Sequence, residues 1–436
     1  MWMYYLSLGI NSLRRNPILT FITVLILGIG IAASMSTLTI LYVMSGNPIP
    51  HKSDRLFVPQ FDTDGMDGYK PGEKPAFQLA HKDAMNLLRD AKGVHQTAMY
   101  GISQAVDSRR KDLALFQEPG VATTAEAFTL FEIPFLHGQG WTSNEDRNAA
   151  QVVVIGQQLA KKIFGKTNVA GQVLRLDQRD YRITGVIGNW RPLPKYYRVY
   201  GSGAATGLPE EIWIPFSNAT SREYSNNGWT NCSGDSDPGY QGFLNSECQW
   251  IQYWVELKTA NDAAAFKDYM SAYVATQKKL GRMPRPENNR FSNVMQWLED
   301  AKVVEQDTKI SSLLSVGFLL VCIVNMMALL LAKFTARDGD IAVRRALGAS
   351  RWQIFQQFAL ESFVIGCVGA VIGVALSFLA LRLMANGNAD MSAIYKMDAA
   401  MLSLTVCISI AASLIAGLLP TWRACQVLPA MQLKSQ

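Results

Sequence analysis

The chain has 436 residues, of which 49% are hydrophobic and 17% charged, with a formal net charge of +6. A mean hydropathy of +0.06 averages two unlike parts, a membrane bundle and a soluble domain. The basic excess does not point to nucleic acid: residues 45–308 hold 29 Lys+Arg against 30 Asp+Glu, and the surplus lies beside the apolar runs.

In residues 1–17, Trp2, Tyr5, Leu6, Ile10 and Leu13 recur at helical spacing and end at Arg14-Arg15-Asn16-Pro17. This pattern suits a short helix lying in the membrane interface. Ile18 to Met44 is a 27-residue run without a charge, whereas about 20 apolar residues cross the ~30 Å hydrocarbon core. At 1.5 Å per residue the run reaches about 40 Å, so the first span (18–44) is expected to continue outward as a stalk. It is also longer than the ~7–15-residue apolar core of a signal peptide, which predicts a retained helix.

Residues 45–290 alternate helix and strand patterns without a regular strand–helix–strand rhythm, which predicts an α+β domain. The spacing predicts helices over 77–92, 157–164 and 262–279 and strands over 151–155, 212–215 and 250–258. Residues 173–176 and 181–187 read as a hairpin. The strand-rich stretch of about 115–250 is a candidate inserted subdomain, and the Pro- and aromatic-rich text 190–200 reads as a packed surface loop. Cys232 and Cys248 flank a polar, Gly-rich stretch, and an oxidising compartment would pair them. The other four cysteines lie in or beside the later apolar runs, and no Cys-x₂-Cys or nearby His suggests a metal site.

Over 291–309, Val294, Trp297, Leu298, Ala301 and Val304 follow the helical period, which predicts a second stalk helix leading into a span at 310–332. Further spans are expected at 355–381, with its lead-in, and at 399–419. They are separated by the loops 333–354 and 382–398 and followed by a tail, 420–436. Basic residues cluster at Arg14-Arg15, in 333–354 and after the fourth span. Lys/Arg enrichment sets orientation, so both termini and the 333–354 loop are expected in the cytoplasm and the large domain outside. Gly369-x₃-Gly373, with Ser377 four residues on, allows close helix approach and leaves open whether the partner is within the bundle or a second copy.

Catalytic signatures are missing. The text AKKIFGKT at 160–167 ends like a phosphate loop but has Ala160 where the first glycine should stand. His51, His81, His95 and His137 are scattered, and no Gly-x-Ser-x-Gly elbow occurs. The spans read as free of charged residues, with Glu361 at the mouth of the third; ion-coupled carriers usually place ionisable groups there.

The remaining informative text is Ala336–Phe355 (ARDGDIAVRRALGASRWQIF). It reads as a short helix ended by a glycine, then a new helix from Ser350. This loop resembles the signature of MacB/FtsX-type ABC permeases. Arg344, Arg345, Ala346, Leu347, Gly348 and Ala349 match, while Asp340 stands where the family usually has Glu and Ala342 where it usually has Gly. Glu361, the text 14–32, the text 420–431 and the domain stretch 152–186 are similar to the same family.

The resemblance implies a non-catalytic permease with four transmembrane helices and a periplasmic domain between the first two. It implies coupling contacts at Asp338, Asp340, Ile341, Arg344, Arg345, Ala346, Leu347, Gly348 and Ala349. Implied partners are a separate cytoplasmic ABC ATPase that binds ATP and Mg, a second copy or a homologous permease, membrane lipid, a periplasmic adaptor and an outer-membrane channel. The chain itself would bind no cofactor. The implied activity is mechanotransmission in the inner membrane, driving efflux of peptides, antibiotics or similar compounds. Lipoprotein release by LolC-like subunits and FtsX-like control of a cell-wall hydrolase are the alternatives within this resemblance.

Overall fold

The computed structural model describes residues 16–199, 207, 209–232, 234, 236–304, 306–387 and 399–426. The expected interfacial helix at 1–17 lies almost wholly outside them, as does most of the tail. The described chain forms two compact units, one of residues up to 45 with those from 304 on and one of those in 46–303.

The second unit is an α+β domain. It opens with β1 (Leu56–Gln60), β2 (Leu79–Ala80), α2 (His81–Asp90), β3 (His95–Asp107), β4 (Phe116–Thr123), α3 (Ala127–Leu130), β5 (Phe135–Gly138) and α4 (Ser143–Arg147). Next come β6 (Val152–Gly156), α5 (Gln157–Phe164), β7 (Val173–Leu176), β8 (Arg179–Ile187), β9 (Ile212–Pro215), α6 (Phe216–Ser221) and α7 (Gly239–Asn245). It closes with β10 (Gln249–Glu256), α8 (Ala260–Lys279), β11 (Arg290–Asn293) and α9 (Val294–Asp300). The main path of the sheet runs β11-β1-β10-β3-β4-β9-β6-β8-β5, with β2 on β10 and β7 on both β3 and β8. Among the described residues only β4–β9 and β6–β8 pair in parallel.

Local chemistry accounts for much of this. The β7–β8 hairpin turns at Asp177 and Gln178, both at positive φ (44° and 65°), the two-residue geometry that matches strand twist. The side chain of Thr259 accepts from Asp262 N and that of Asp262 from Thr259 N, a reciprocal cap that starts α8. Every residue of β6 and β10 is buried, as in strands covered on both faces. Leu87, Leu159, Ile163, Phe266 and Met270 bring α2, α5 and α8 onto one core.

Four expectations need correction. The helix read over 77–92 starts only at His81, because Leu79 and Ala80 pair with β10. The stretch 115–250 is no inserted subdomain: β4 pairs with β3 from Phe116↔Val106 to Thr123↔Met99, so one sheet runs through it. The loop read over 190–200 is packed inward over its described residues 190–199, with Tyr196, Tyr197 and Val199 buried and Tyr197 among the rings of Trp190, Trp213 and Phe131.

The fourth concerns the stalk helix read over 291–309. Residues 290–293 form β11 on β1, and α9 ends at Asp300, capped by Ala301, with Lys302 at φ 52°. Trp297 is buried, donates Nε1–H to the carbonyl of Tyr196 at 3.0 Å and meets Trp254 and Phe77 edge-on. The apolar stripe therefore faces the domain's own core.

Beside Tyr197 of the ring cluster, Glu210 is buried. Its carboxylate accepts from Lys195 Nζ, Arg198 Nη1 and Tyr197 OH, each at 2.7 Å. Burial alone would push its pKa up, but the Lys195 and Arg198 charges and these hydrogen bonds reverse that and bring it down to about 2. Cys232 and Cys248 are joined by a disulfide 16 residues apart, a loop closure that contributes roughly 3 kcal/mol in the chain-entropy model.

The first unit is a bundle of α1 (Pro17–Ser45), α10 (Gln306–Thr335), α12 (Arg351–Gly387) and α13 (Ala399–Ala424), with the short α11 (Asp338–Ala346) between α10 and α12. These four long helices have the length and apolar composition to cross a membrane. The third runs unbroken past the expected 381 to Gly387, so the first residues of the expected loop at 382–398 are helical. Glycines set the closest approaches. A Cβ on Gly28 would lie 2.9 Å from Ile372 Cγ2, and one on Gly30 would lie 2.9 Å from Cys322 Cβ. Ser34 Oγ donates to the carbonyl of Ser315 at 2.7 Å, and Thr37 Oγ1 meets Ser315 Oγ at 2.6 Å, which ties α1 to α10.

Candidate functional site: the connection between α10 and α12

The connection is built in three steps. α10 ends at Thr335; after Ala336 and Arg337 the chain re-enters helix as α11. Asp338 and Asp340 occupy the first turn of α11, and Arg344 and Arg345 the last, so charge complements the helix dipole at both ends. Gly348, at φ 98°, turns the chain out of the helix, a conformation that disfavours side chains with a Cβ. Ser350 and Gln353 then cap the start of α12 reciprocally.

The faces of α11 are sharply divided. Ile341 and Ala342 are buried, and Ile341 joins the apolar cluster of Phe334, Ile354 and Phe358. On the outer side Val343 is 50% exposed, Leu347 83% and, at the start of α12, Trp352 63%. Arg344 is exposed beside them and donates to Gln357 Oε1 at 2.7 Å. Trp352 stacks on Phe355 with ring centroids 5.3 Å apart. Exposed apolar side chains with an exposed guanidinium among them in sequence are suited to binding a protein surface. A cleft of about 340 Å³ adjoins α11, lined by Phe334, Asp338, Pro420 and Arg423 among others.

Behind α11 lies a charge cluster that the sequence reading missed. Lys333 Nζ stands 2.8 Å from Glu361 Oε1, with both side chains 1% exposed, and Arg337 Nη1 stands 3.0 Å from Glu361 Oε2. Lys333 also donates to Thr20 Oγ1 on α1 at 3.1 Å. Lys333, one residue past the expected span 310–332, and Glu361, at the expected mouth of the third, thus both lie within continuous helices. They lie 28 positions apart, and the usable signal was the presence of a lysine and a glutamate at helix positions that should face apolar neighbours.

The expected coupling residues separate into two groups. Asp340, Arg344, Ala346, Leu347 and Gly348 are exposed, and Asp338, Arg345 and Ala349 are half-buried. Ile341 points into the bundle, where it cannot serve as an outward contact. Val343 and Trp352 belong to the exposed surface and were overlooked, although Val343 and Leu347 share one helix face at i, i+4. Gly369 and Gly373 pack against Leu27 and Ile31 of α1 in the same chain, and Ser377 Oγ donates to the carbonyl of Gly373 at 2.8 Å. This answers the packing question in favour of the bundle.

Elsewhere the chemistry is structural. Gly165 caps the end of α5, so the Gly-Lys-Thr text follows a helix instead of opening one. His81 lies between the rings of Phe216 and Trp250. Among the described residues no group of His, Cys, Asp and Glu is arranged to hold a metal.

The family model for the MacB-like periplasmic core domain matches residues 20–273, and that for the FtsX-like permease C-terminal region matches 312–429. The chain belongs to the MacB/FtsX-type ABC permease family. It is a multi-pass membrane protein whose α+β domain is periplasmic. MacB of Photorhabdus laumondii, a macrolide export ATP-binding/permease protein, is 24% identical over 87% of the chain and 52% of its own length. MacB of Escherichia coli is 27% identical over 68% of the chain and 41% of its own length. The pyoverdine export ATP-binding/permease protein PvdT of Pseudomonas putida is 23% identical over 57% and 33%. The chain thus spans about half the length, or less, of these curated relatives. The periplasmic region of MacB from Actinobacillus actinomycetemcomitans overlays 56% of this permease and 92% of itself, at 13% identity and a TM-score of 0.35. At that score the overlay adds nothing to the family assignment.

Proposed function

We propose that this chain is the non-catalytic permease subunit of an inner-membrane ABC transporter, driven by a separate ATPase that docks on α11. The supporting observation is the exposure of Val343, Leu347 and Trp352, with Arg344 exposed among them in sequence, at the end of α10 remote in sequence from the periplasmic domain. Arg337, Arg344, Arg345 and Arg351 fill that connection, and by the positive-inside rule they support a cytoplasmic location for it and for both termini.

On this reading ATP and Mg stay on the partner, and the permease converts ATPase closure into movement of α1 and α10. Those helices are about 43–45 Å long at 1.5 Å per residue, more than the ~30 Å hydrocarbon core, and the Ser34, Thr37 and Ser315 bonds make them a paired stalk. Tight glycine packing leaves the bundle interior suited to levers, so cargo is handled in the periplasm. The mechanism is mechanotransmission; the cargo is peptides, antibiotics or similar compounds. A second permease copy, a periplasmic adaptor and an outer-membrane channel complete the assembly.

The test is co-purification of the full chain with the co-expressed ATPase. Charge reversal of both Arg344 and Arg345 should abolish capture and the associated ATP hydrolysis while the permease stays folded. Capture and hydrolysis equal to wild type would sink the docking claim.

A further inference from the structure

Two cations and one carboxylate are buried together where α1, α10 and α12 meet. Glu361 takes Lys333 on one oxygen and Arg337 on the other, and Lys333 reaches on to Thr20 in the first turn of α1. The neighbourhood is otherwise apolar: Phe334 and Phe358 lie with ring centroids 4.3 Å apart, and Ile341 and Ile354 share their cluster. Well-packed hydrophobic residues would fill such a place at no loss of stability, and ionisable groups within membrane helices are costly enough to mark function. Position supplies the role. Arg337 is the residue immediately before α11, so the carboxylate of Glu361 grips the root of that helix.

We propose that Glu361 is a positioning residue: through Arg337 it fixes the orientation of α11, and through Lys333 and Thr20 it joins that orientation to α1. α11 is covalently attached only to α10 and α12. The charge joint adds α1, the long helix that leads to the periplasmic domain, so a push on α11 reaches three helices together. This inference rests on the reading of α11 as a docking surface, but the joint can be read out without the ATPase.

The experiment uses the full chain in detergent, with trypsin cleavage after Arg344 and Arg345 as the local readout and the melting midpoint as the global one. Glu361→Gln and Arg337→Met should each speed that cleavage by about tenfold, as local opening becomes easier, and Glu361→Asp should restore the slow rate. Arg337→Met leaves Lys333 and Glu361 together, so it decides the matter if Glu361→Gln melts the bundle. Unchanged cleavage in Arg337→Met at a wild-type midpoint overturns the proposal, as does faster cleavage that simply tracks a lowered midpoint. With the ATPase added, Arg337→Met should weaken capture although it lies off the docking surface. If wild type captures no ATPase, the docking reading fails while the cleavage result still judges the joint.

Discussion

Gly369 of α12 lies so close to Leu27 of α1 that a Cβ on the glycine would sit 2.5 Å from Leu27 Cδ2. Small residues in membrane helices let backbones approach, and dispersion then supplies the attraction. Gly317 of α10 has nothing within 4 Å of the equivalent position. Gly369→Ala should therefore cost about 1–3 kcal/mol through overpacking. Gly317→Ala should be neutral or stabilising by up to about 1 kcal/mol from helix propensity. Thermal melts of the two variants in one detergent check this; equal effects would remove the packing argument.

Ile341 lies on α11 and Leu347 caps its end, and the two have opposite surroundings. Leu347→Asp should leave the melting midpoint within about 0.5 kcal/mol of wild type, as for ordinary surface changes, and should abolish ATPase capture. Ile341→Asp places a charge among Phe334, Ile354 and Phe358; it should lower stability by several kcal/mol, of order 3 or more. Comparable stability losses for the two would refute the facing assigned to α11.

Trp297 gives a test of the corrected stalk. If α9 belongs to the domain core, Trp297→Ala removes a buried ring and the donor that satisfies the Tyr196 carbonyl, at a cost of about 3–5 kcal/mol. A helix exposed on a stalk would tolerate the change. Denaturant melts followed by tryptophan fluorescence distinguish the two.

The pH dependence of the domain follows from Glu210. Its folded pKa of about 2 lies below the ordinary 4.5, so its contribution is complete above about pH 4.5 and is lost as pH falls toward 2. The shift corresponds to about 3 kcal/mol. Glu210→Gln should lower stability at neutral pH and flatten the acid limb between pH 4.5 and 2. An acid limb as steep as wild type would mean other carboxylates control it.

Much of this architecture was legible because its causes are local. Uncharged runs of 20 or more residues, basic residues beside them and Gly348 after a short charged helix are each written in consecutive positions, and hydration, dipoles and backbone sterics act on them directly. The hairpin at 177–178 and the strand at 212–215 were readable for the same reason. The apolar stripe of 294–301 was equally clear, but a stripe states only that one helix face is buried. Which surface buries it, Trp254 and Tyr196 in this case, depends on residues 40 to 100 positions away.

The same limit explains the charge joint and the continuous sheet. Neither the pairing of Lys333 with Glu361 nor that of β4 with β3 along its whole length leaves a periodic trace, because each is a meeting of segments brought together by folding. Composition and spacing thus established what kind of molecule this is and which segments must be apolar, since solvation is paid residue by residue. The partners of those segments, and with them the inward turn of Ile341 and the outward turn of Leu347, were settled by packing, which depends on the whole fold at once.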